Sequence, residues 1–251
     1  MKTCSRCILN SKDIEVIDFD ENGLCNYCRY YDKVTSRLGS KEEKSLWLKN
    51  KIEEIKQAGK NKLYDCILGV SGGVDSSYLA WWCKENNLRP LVAHFDNGWN
   101  SELAVQNIQN LCSLLGYELQ TIVIDWEEFK QLQLAYLRAG VIDIEALTDH
   151  AILATIYKIA KQYNIRYTIN GFNFATEAVM PKGWTHDKTD FVNIKDINKK
   201  FGTGKIKSFP HITFLQQFWY SMFLKMESIQ VLNYLNYKKD DAKKILTENL
   251  G

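Results

Sequence analysis

The chain lacks the features that would mark it for a membrane or for a long nucleic acid. Among its 251 residues, Lys and Arg total 32 and Asp and Glu total 30, so the formal net charge is only +2. Proteins that bind long nucleic acids usually carry a basic surplus, and this balance weighs against such a partner. No signal peptide is visible, and no apolar run reaches the length of about 18 residues that a membrane helix needs. We therefore expect a soluble, cytoplasmic protein with no membrane partner.

Seven cysteines are present, and four of them form two C-x2-C pairs near the start of the chain. Four thiolates at this spacing close a tetrahedron around Zn²⁺ without an open position, which is typical of a structural metal. Residues 1–32 also carry too few apolar side chains for a core of their own. We predict a zinc-binding module over 1–32, a helical connector over 33–62, and a larger domain over 63–251. The predicted ligands are Cys4, Cys7, Cys25 and Cys28; a redox role for these pairs is the alternative.

A glycine-bearing loop, Ser-Gly-Gly-Val-Asp-Ser-Ser over 71–77, lies between a predicted buried strand, 65–70, and a predicted helix, 76–85. Adjacent glycines allow backbone N–H groups to approach an anion, and the positive end of a helix favours phosphate. Asp75 is then placed to hold a Mg²⁺ ion that bridges phosphate oxygens. No Gly-Lys-Ser/Thr follows, so this is not a Walker A loop. The alternative is a turn without a ligand.

The larger domain alternates between strand and helix patterns. Further strands are predicted over 90–95, 119–124 and 165–169, with a helix over 101–115 whose Leu103 should point inward. This alternation predicts an α/β fold, a parallel sheet with helices on both faces. Ligands of such sheets bind beyond the carboxyl ends of the strands. That rule selects the residues that follow the strands: Asp96, Asn97, Asp125, Asn170, Gly171 and Asn173.

The segment 71–76 resembles the PP-loop of the ATP pyrophosphatase superfamily, which includes ATP-using amidotransferases and tRNA-thiolating enzymes. This resemblance implies an adenine nucleotide alpha-hydrolase-like fold and cleavage of ATP between its α and β phosphates. It implies that Asp96 and Asn97 hold the adenosine, that Asn170 and Gly171 form a second loop near the nucleotide, and that Glu177 joins Asp75 around Mg²⁺. The implied phosphate-binding residues are Ser71, Gly72, Gly73, Val74, Asp75, Ser76 and Ser77.

Most of the chain resembles, more narrowly, the N-acetyl sugar amidotransferase family. The motifs that show this resemblance are the two cysteine pairs, Gly69–Ser77, Asp96-Asn97-Gly98-Trp99 and Asn170-Gly171-Phe172-Asn173. The resemblance implies conversion of an acetamido sugar into an acetamidino sugar for lipopolysaccharide O-antigen, capsule or flagellin glycans, including pseudaminic and legionaminic acid. Members of that family run further at the carboxyl end, so we expect that a substrate or partner surface is missing here.

The expected chemistry uses ATP, Mg²⁺ and a structural Zn²⁺. Transfer of AMP to the amide oxygen gives an O-adenylyl imidate, from which ammonia displaces AMP. Such transfer needs positioning and charge neutralisation more than covalent catalysis, so we assign catalytic roles to Asp75 and Ser71 and expect no side-chain nucleophile. Cys66, Cys83 and Cys112 are predicted core residues. A built-in glutaminase is therefore not expected, and a separate glutaminase subunit or free ammonium should supply the nitrogen.

The acceptor site is predicted at Asp149, His150, Lys182 and Trp184, where an aromatic ring can stack on a sugar and a lysine can meet phosphate. A solvated loop is the alternative. The aromatic stretch over 214–226 is predicted to pack in the core, with a partner interface as second choice. Two other functions remain open. One is tRNA thiolation; the sequence argues against it because no C-x2-C pair occurs after residue 28 and no basic stripe is present. The other is a non-catalytic scaffold that binds zinc and a nucleotide.

Overall fold

The structure, a computed structural model, describes residues 1–177 and 180–250, and the Lys182 side chain also lies outside the described part. Its centre is a five-stranded sheet in the order β3-β2-β1-β4-β5, in which every neighbouring pair is parallel. The strands are β1 (Cys66–Gly69), β2 (Pro90–Asp96), β3 (Leu119–Val123), β4 (Tyr167–Ile169) and β5 (Glu227–Ile229).

Ten α-helices surround or extend this sheet within the described ranges. They are α1 (Asn26–Arg37), α2 (Lys41–Gly59), α3 (Val74–Glu85), α4 (Glu102–Leu115), α5 (Trp126–Ala139), α6 (Ala146–Tyr163), α7 (Phe174–Glu177), α8 (Phe191–Phe201), α9 (Phe214–Trp219) and α10 (Lys239–Leu250). A π-helical turn, Tyr220–Leu224, continues α9. None of the helices in 1–177 or 180–250 is long and apolar enough to span a bilayer.

The sheet buries both of its faces, as the alternation of strands and helices predicts. Leu68 of β1 lies in a buried cluster with Leu79 of α3, while its neighbour Ile67 packs with Ile159 of α6 on the opposite face. Successive strand residues point to opposite faces, so a fully buried run requires helices on both. The predicted fold class, an α/β parallel sheet covered on two sides, is confirmed.

The chain winds in two directions from β1. It passes first to β2 and β3 on one side, and later to β4 and β5 on the other. The reversal creates a topological switch point between β1 and β4, where the loops after these two strands diverge and leave a crevice for ligands. The loops after β1 and β4 begin with Val70 and Asn170, so both predicted glycine-bearing loops lie at this switch point.

The predicted start of α3 and the predicted burial of Leu103 are wrong, and one strand was not predicted. Helix α3 begins at Val74, not Ser76, because Gly73 in extended conformation (φ −83°, ψ 163°) already serves as its N-cap. Leu103 is 67% exposed, since it lies five residues, or about 140° of helical rotation, from buried Ile108. The strand β5 was not predicted, because three residues are too few to show a period.

The aromatic stretch near the carboxyl end does not pack in the core as predicted. Phe214 is 78% exposed and Phe223 69% exposed, with the intervening apolar side chains also largely in solvent. The stretch adopts α9 and the π-helical turn, and its contacts with the sheet domain run through α6. Only Met226, the last residue of the stretch, packs partly buried against the cluster that contains Ile159, and the buried cluster of α5 and α8 with Phe209 includes none of these side chains.

Candidate phosphate-binding and metal sites

The loop after β1 requires glycine at one of its two glycine positions. Gly72 has a φ of +76°, a conformation that side chains other than glycine rarely adopt. A Cβ atom at Gly72 would lie 2.7 Å from the carbonyl oxygen of Ala104 in α4. Gly73, at φ −83°, meets no such restriction. The loop is thus pressed against the start of α4, which follows the turn after β2.

The same loop presents a row of backbone donors. The N–H groups from Gly72 to Ser76 have no acceptor within the described residues. They lead into the amino end of α3, a 12-residue helix whose N-cap, Gly73, supplies no side-chain cap. Unsatisfied N–H groups and the helix dipole together favour an anion at this position. The predicted phosphate-binding loop therefore has the required donors.

Two serine hydroxyls of the loop have different environments. The buried Ser76 hydroxyl donates to the Gly73 carbonyl (3.1 Å) and accepts from the Ser71 amide (3.3 Å). The Ser71 hydroxyl lies 3.4 Å from the Ser76 hydroxyl and belongs to an exposed residue, so it is accessible to a ligand. Ser76 accordingly shapes the loop, whereas Ser71 faces the space above it.

Asp75 has a partner that the sequence does not indicate. The hydroxyl of Tyr237, 162 positions away, donates a short hydrogen bond to its carboxylate. Burial, together with the neighbouring Asp75 carboxylate, raises the pKa of Tyr237, so the phenol stays protonated and remains a donor. Tyr237 precedes α10, which packs on α3. No motif surrounds it, and only the return of α10 to α3 brings the two side chains together.

The loop after β4 meets the phosphate loop, while its predicted position near a nucleotide stays a prediction. A Cβ atom on Gly171 would lie 3.5 Å from that of Asp75 and 3.6 Å from the Ser76 amide nitrogen, in ordinary contact. Asn170 accepts from the Phe172 amide (3.0 Å) and donates to the Ser228 hydroxyl of β5 (2.8 Å). The Asn170 side chain thus holds the loop in place beside Asp75.

The polar residues after β2 form a compact turn. The Asp96 carboxylate accepts from the Gly98 amide (2.9 Å) and from the Asn100 side chain (3.0 Å), and Asn97 accepts from the Trp99 amide (3.0 Å). A Cβ atom on Gly98, at φ +81°, would lie 2.7 Å from the Trp126 ring. Asp96 and Asn97 shape this turn, and their predicted role in holding adenosine stays a prediction.

The residues proposed to bind Mg²⁺ are carboxylates, the type of side chain that this ion prefers. Mg²⁺ usually takes one or two protein carboxylates and completes its shell with phosphate oxygens and water. Asp75 lies partly exposed at the start of α3, beside the free N–H groups, and Glu177 ends the short helix α7 in an exposed position. These two carboxylates would hold the ion, which would neutralise charge on the phosphates. The pairing of Glu177 with Asp75 stays a prediction.

The four amino-terminal cysteines converge as a tetrahedral metal site requires. Their sulfur atoms all lie within 4.8 Å of one another, with Cys4 and Cys28 at 3.9 Å and Cys7 and Cys25 at 3.7 Å. Zn–S bonds of ordinary length in a tetrahedron place sulfur atoms about 3.8 Å apart. Within the described ranges this is the one cluster of three or more His, Cys, Asp or Glu ligand atoms. The donor set fits Zn²⁺, and it leaves no open position for chemistry.

Backbone amides surround these sulfurs. The amides of Arg6 and Cys25 donate to the Cys4 sulfur (3.4 and 3.3 Å), and the Cys28 amide donates to the Cys25 sulfur (3.4 Å). Burial opposes ionisation, but backbone donors, including the Arg6 and Cys25 amides, outweigh it and lower the pKa of Cys4 to about 6. Burial raises the pKa of Cys7 to about 12 and also raises that of Cys28, so only the Cys4 sulfur is shifted towards the thiolate.

Of the predicted acceptor residues, His150 is not available to a ligand. His150 is fully buried between the rings of Phe191 and Phe209, and both its ring nitrogens are bonded to backbone groups, at Lys188 (2.8 Å) and Ile212 (3.2 Å). Asp149 forms an ion pair with Lys188 at 3.2 Å. We leave both out of the proposed acceptor site. Trp184 is 39% exposed and lines a cleft, while the Lys182 side chain lies outside the described residues.

The three remaining cysteines are core residues, as predicted. Cys66 and Cys83 are completely buried, and Cys112 is 4% exposed. A hydrogen bond with Cys83 and burial raise the pKa of Cys66 well above its ordinary value. A thiol in this state is a poor nucleophile. The expectation of a separate source of ammonia stays a prediction.

Comparison with known proteins gives only distant likenesses. No protein-family model and no curated protein matches the chain. Among solved structures, NMN synthetase from Francisella tularensis is 17% identical, with 84% of this chain and 87% of that one covered, at a TM-score of 0.41.

Two further structures are similar at the same level. One is an NH3-dependent NAD synthetase from Campylobacter jejuni subsp. jejuni, 15% identical over 87% of this chain and 84% of that one, with a TM-score of 0.40. The other is a predicted subunit of tRNA methyltransferase from Methanocaldococcus jannaschii, 13% identical over 73% and 75%, with a TM-score of 0.41. At these scores the likeness does not bear on function, which has to be argued from the site.

Proposed function

We propose that this chain is a PP-loop ATP pyrophosphatase that acts as an ATP-dependent amidotransferase. It would transfer AMP to the acetamido oxygen of an N-acetyl sugar and release pyrophosphate, after which ammonia displaces AMP to give an acetamidino sugar. The observation that carries the proposal is the meeting of two glycine-bearing loops at the switch point, with five free N–H groups and the Asp75 carboxylate between them. The choice of a sugar as acceptor rests on the motif resemblance.

The residues present suit an adenylation better than a hydrolysis through a covalent intermediate. The free N–H groups from Gly72 to Ser76 would hold the departing pyrophosphate. Mg²⁺, when bound by Asp75 and Glu177, supplies charge neutralisation for the phosphates. Tyr237 orients the Asp75 carboxylate through its hydrogen bond. Because the three sheet-domain cysteines are buried, ammonia is expected from a separate glutaminase subunit or from ammonium in solution.

The experiment supplies Mg-ATP and ammonium with either a panel of N-acetyl sugars and sugar nucleotides or bulk tRNA. Pyrophosphate, AMP, ADP and orthophosphate are then measured. Sugar-dependent release of pyrophosphate and AMP supports the proposal, and tRNA-dependent release would transfer it to the thiolating class. Release of ADP and orthophosphate, or of nothing with any acceptor, would contradict the proposed reaction.

Asp75 provides the matched variants. Asp75→Ala should reduce pyrophosphate release at least about 100-fold, since it removes a charged ligand from the phosphates. Asp75→Asn keeps an oxygen that accepts from Tyr237 but loses the charge, so it should be nearly as inactive. Circular dichroism should show both variants folded, because Asp75 is not a core residue. Normal turnover in either variant would remove Asp75 from the mechanism.

A further inference from the structure

A cleft of about 510 Å³ separates the four-cysteine module from the loop that carries Trp184. Its size lies within the range of small-molecule sites. The main domain contributes Ile142, Gly183 and Trp184, and the module contributes Glu15, Asn26 and Tyr27. A smaller cleft of about 260 Å³ shares Ile142, Gly183 and Trp184, so the indole borders both spaces.

The walls of this cleft combine aromatic rings with uncommitted polar groups. The Tyr27 ring is held in place by a hydrogen bond from its hydroxyl to the Val16 carbonyl (3.2 Å). Asn26 uses its side-chain oxygen to accept from the Asp18 amide (3.3 Å), and within residues 1–177 and 180–250 its NH₂ group has no acceptor. The Glu15 carboxylate likewise has no hydrogen-bond donor in that part of the chain.

These groups match the chemistry of an acetamido sugar. Aromatic rings pack against the C–H face of a pyranose, carboxylates accept from its hydroxyls, and an amide NH₂ donates to a hydroxyl or acetamido oxygen. Apolar walls with a few convergent polar groups are the usual composition of small-molecule sites. The cleft offers all three kinds of group from two separate parts of the fold.

A short series of contacts connects the cleft with the phosphate loop. Tyr31, one helical turn after Tyr27 in α1, stacks on Phe174 with ring centroids 5.6 Å apart. Phe174 follows Gly171 by three residues, and Gly171 lies against Asp75. The cleft and the proposed nucleotide site are therefore linked through one helix face and the loop after β4.

We propose that the acceptor sugar binds in this cleft, between Trp184 and Tyr27, with Glu15 and Asn26 as its polar contacts. The identity of the acceptor rests on the proposed function. The assignment of the cleft can be tested separately, by measuring sugar binding without turnover. It assigns the four-cysteine module a direct part in acceptor recognition, in addition to the structural role of its metal site.

The test is saturation-transfer NMR, which detects the binding of N-acetylglucosamine to the whole chain. We expect transfer with the unmodified protein, at least a tenfold weaker affinity in Trp184→Ala, and a smaller loss in Glu15→Gln. Phe201→Ala, which truncates a ring at the end of α8 that is 40% exposed, serves as the control and should bind normally. Because Glu15 is exposed, its variant should remain folded even if Trp184→Ala does not.

The outcomes separate the two proposals. If the unmodified protein shows no transfer from N-acetylglucosamine, or if Trp184→Ala and Glu15→Gln both bind like Phe201→Ala, the cleft assignment is wrong. Sugar-dependent pyrophosphate release in those same variants, with an unchanged KM for the sugar, would leave the proposed function standing with a different acceptor site. Sugar binding at the cleft without any pyrophosphate release would contradict the proposed function alone.

Discussion

The four-cysteine module and the parallel sheet are stabilised by different means. The buried residues of the module are three cysteines and only two aliphatic side chains, Leu9 and Ile14. The sheet buries Ile67, Leu68 and Leu91 completely, between helices on both faces. A module with so few apolar residues should depend on bonds to a metal ion, whereas the sheet domain depends on removing apolar surface from water. Metal removal should therefore affect one region and leave the other folded.

Loss of the metal should have the largest effect on stability, and it tests most directly whether the two regions are stabilised differently. Structural zinc contributes about 10–16 kcal/mol in small zinc-folded domains. Chelation, or Cys25→Ser, should abolish amide-exchange protection across residues 1–37 while β1 and β2 stay protected, as measured by hydrogen–deuterium exchange mass spectrometry. Cys112→Ser is the control, since it changes a cysteine outside the cluster. Equal loss of protection in β1 and the module would show that the two regions do not fold independently.

A medium effect is expected within the sheet domain, where the two adjacent glycines should behave differently. Gly72→Ala forces a side chain into a φ of +76° and against the Ala104 carbonyl, so it should lower the free energy of unfolding by about 1–3 kcal/mol. Gly73→Ala meets only the Ser71 hydroxyl at 3.4 Å and should stay within about 1 kcal/mol of the unmodified chain. Urea unfolding measures both. A Gly73 variant as unstable as the Gly72 variant would refute this assignment.

The smallest effect concerns an ion pair of the larger domain that lies away from the sheet itself. Burial raises the pKa of Asp143, but hydrogen bonds from Lys188 (2.5 Å) and the His186 amide (2.9 Å) outweigh it and lower that pKa below its ordinary value. A carboxylate with a lowered pKa stabilises the fold above its unfolded pKa of about 3.9, and this contribution is lost as the pH falls through the folded pKa.

Asp143→Asn should consequently destabilise the chain near neutral pH by about 1–3 kcal/mol, the cost of unpairing a partly buried charged group. The difference between the variant and the unmodified chain should shrink as the pH falls below about 4. Thermal unfolding at a series of pH values measures both quantities. Asp196→Asn, which removes an exposed partner of Lys200, is the control and should change stability by less than about 1 kcal/mol. A pH-independent effect at Asp143 would exclude the ion pair as its cause.

Local patterns predicted the elements that border the site with fair accuracy. The helix predicted over 101–115 is α4: Ser101 caps it through the Ala104 amide (3.2 Å), and Gly116 ends it in the left-handed conformation. The burial of Cys66 and Cys83 followed from their positions in a strand and on an apolar helix face. These features depend on neighbours a few residues away, which periodicity and capping rules describe.

Sequence patterns gave wrong predictions of exposure and burial where the contacting residues lie far away in the chain. His150 was predicted to contact the acceptor, but backbone groups of Lys188 and Ile212 take both of its ring nitrogens. The aromatic residues around Phe214 have the spacing of a core helix, yet Phe214, Phe218 and Phe223 are largely exposed. Spacing identifies an apolar face but does not say which other element covers it.

The amino-acid sequence by itself determined the alternation of strands and helices, the glycine-bearing loop and the four-cysteine ligand set, because each depends on residues close together in the chain. Only the tertiary structure decided that Gly72 and not Gly73 is sterically required, that Tyr237 holds Asp75, and that the module forms one wall of a cleft with Trp184. Those relations join segments separated by 30 to 160 or so positions, and no local period specifies which distant surfaces meet.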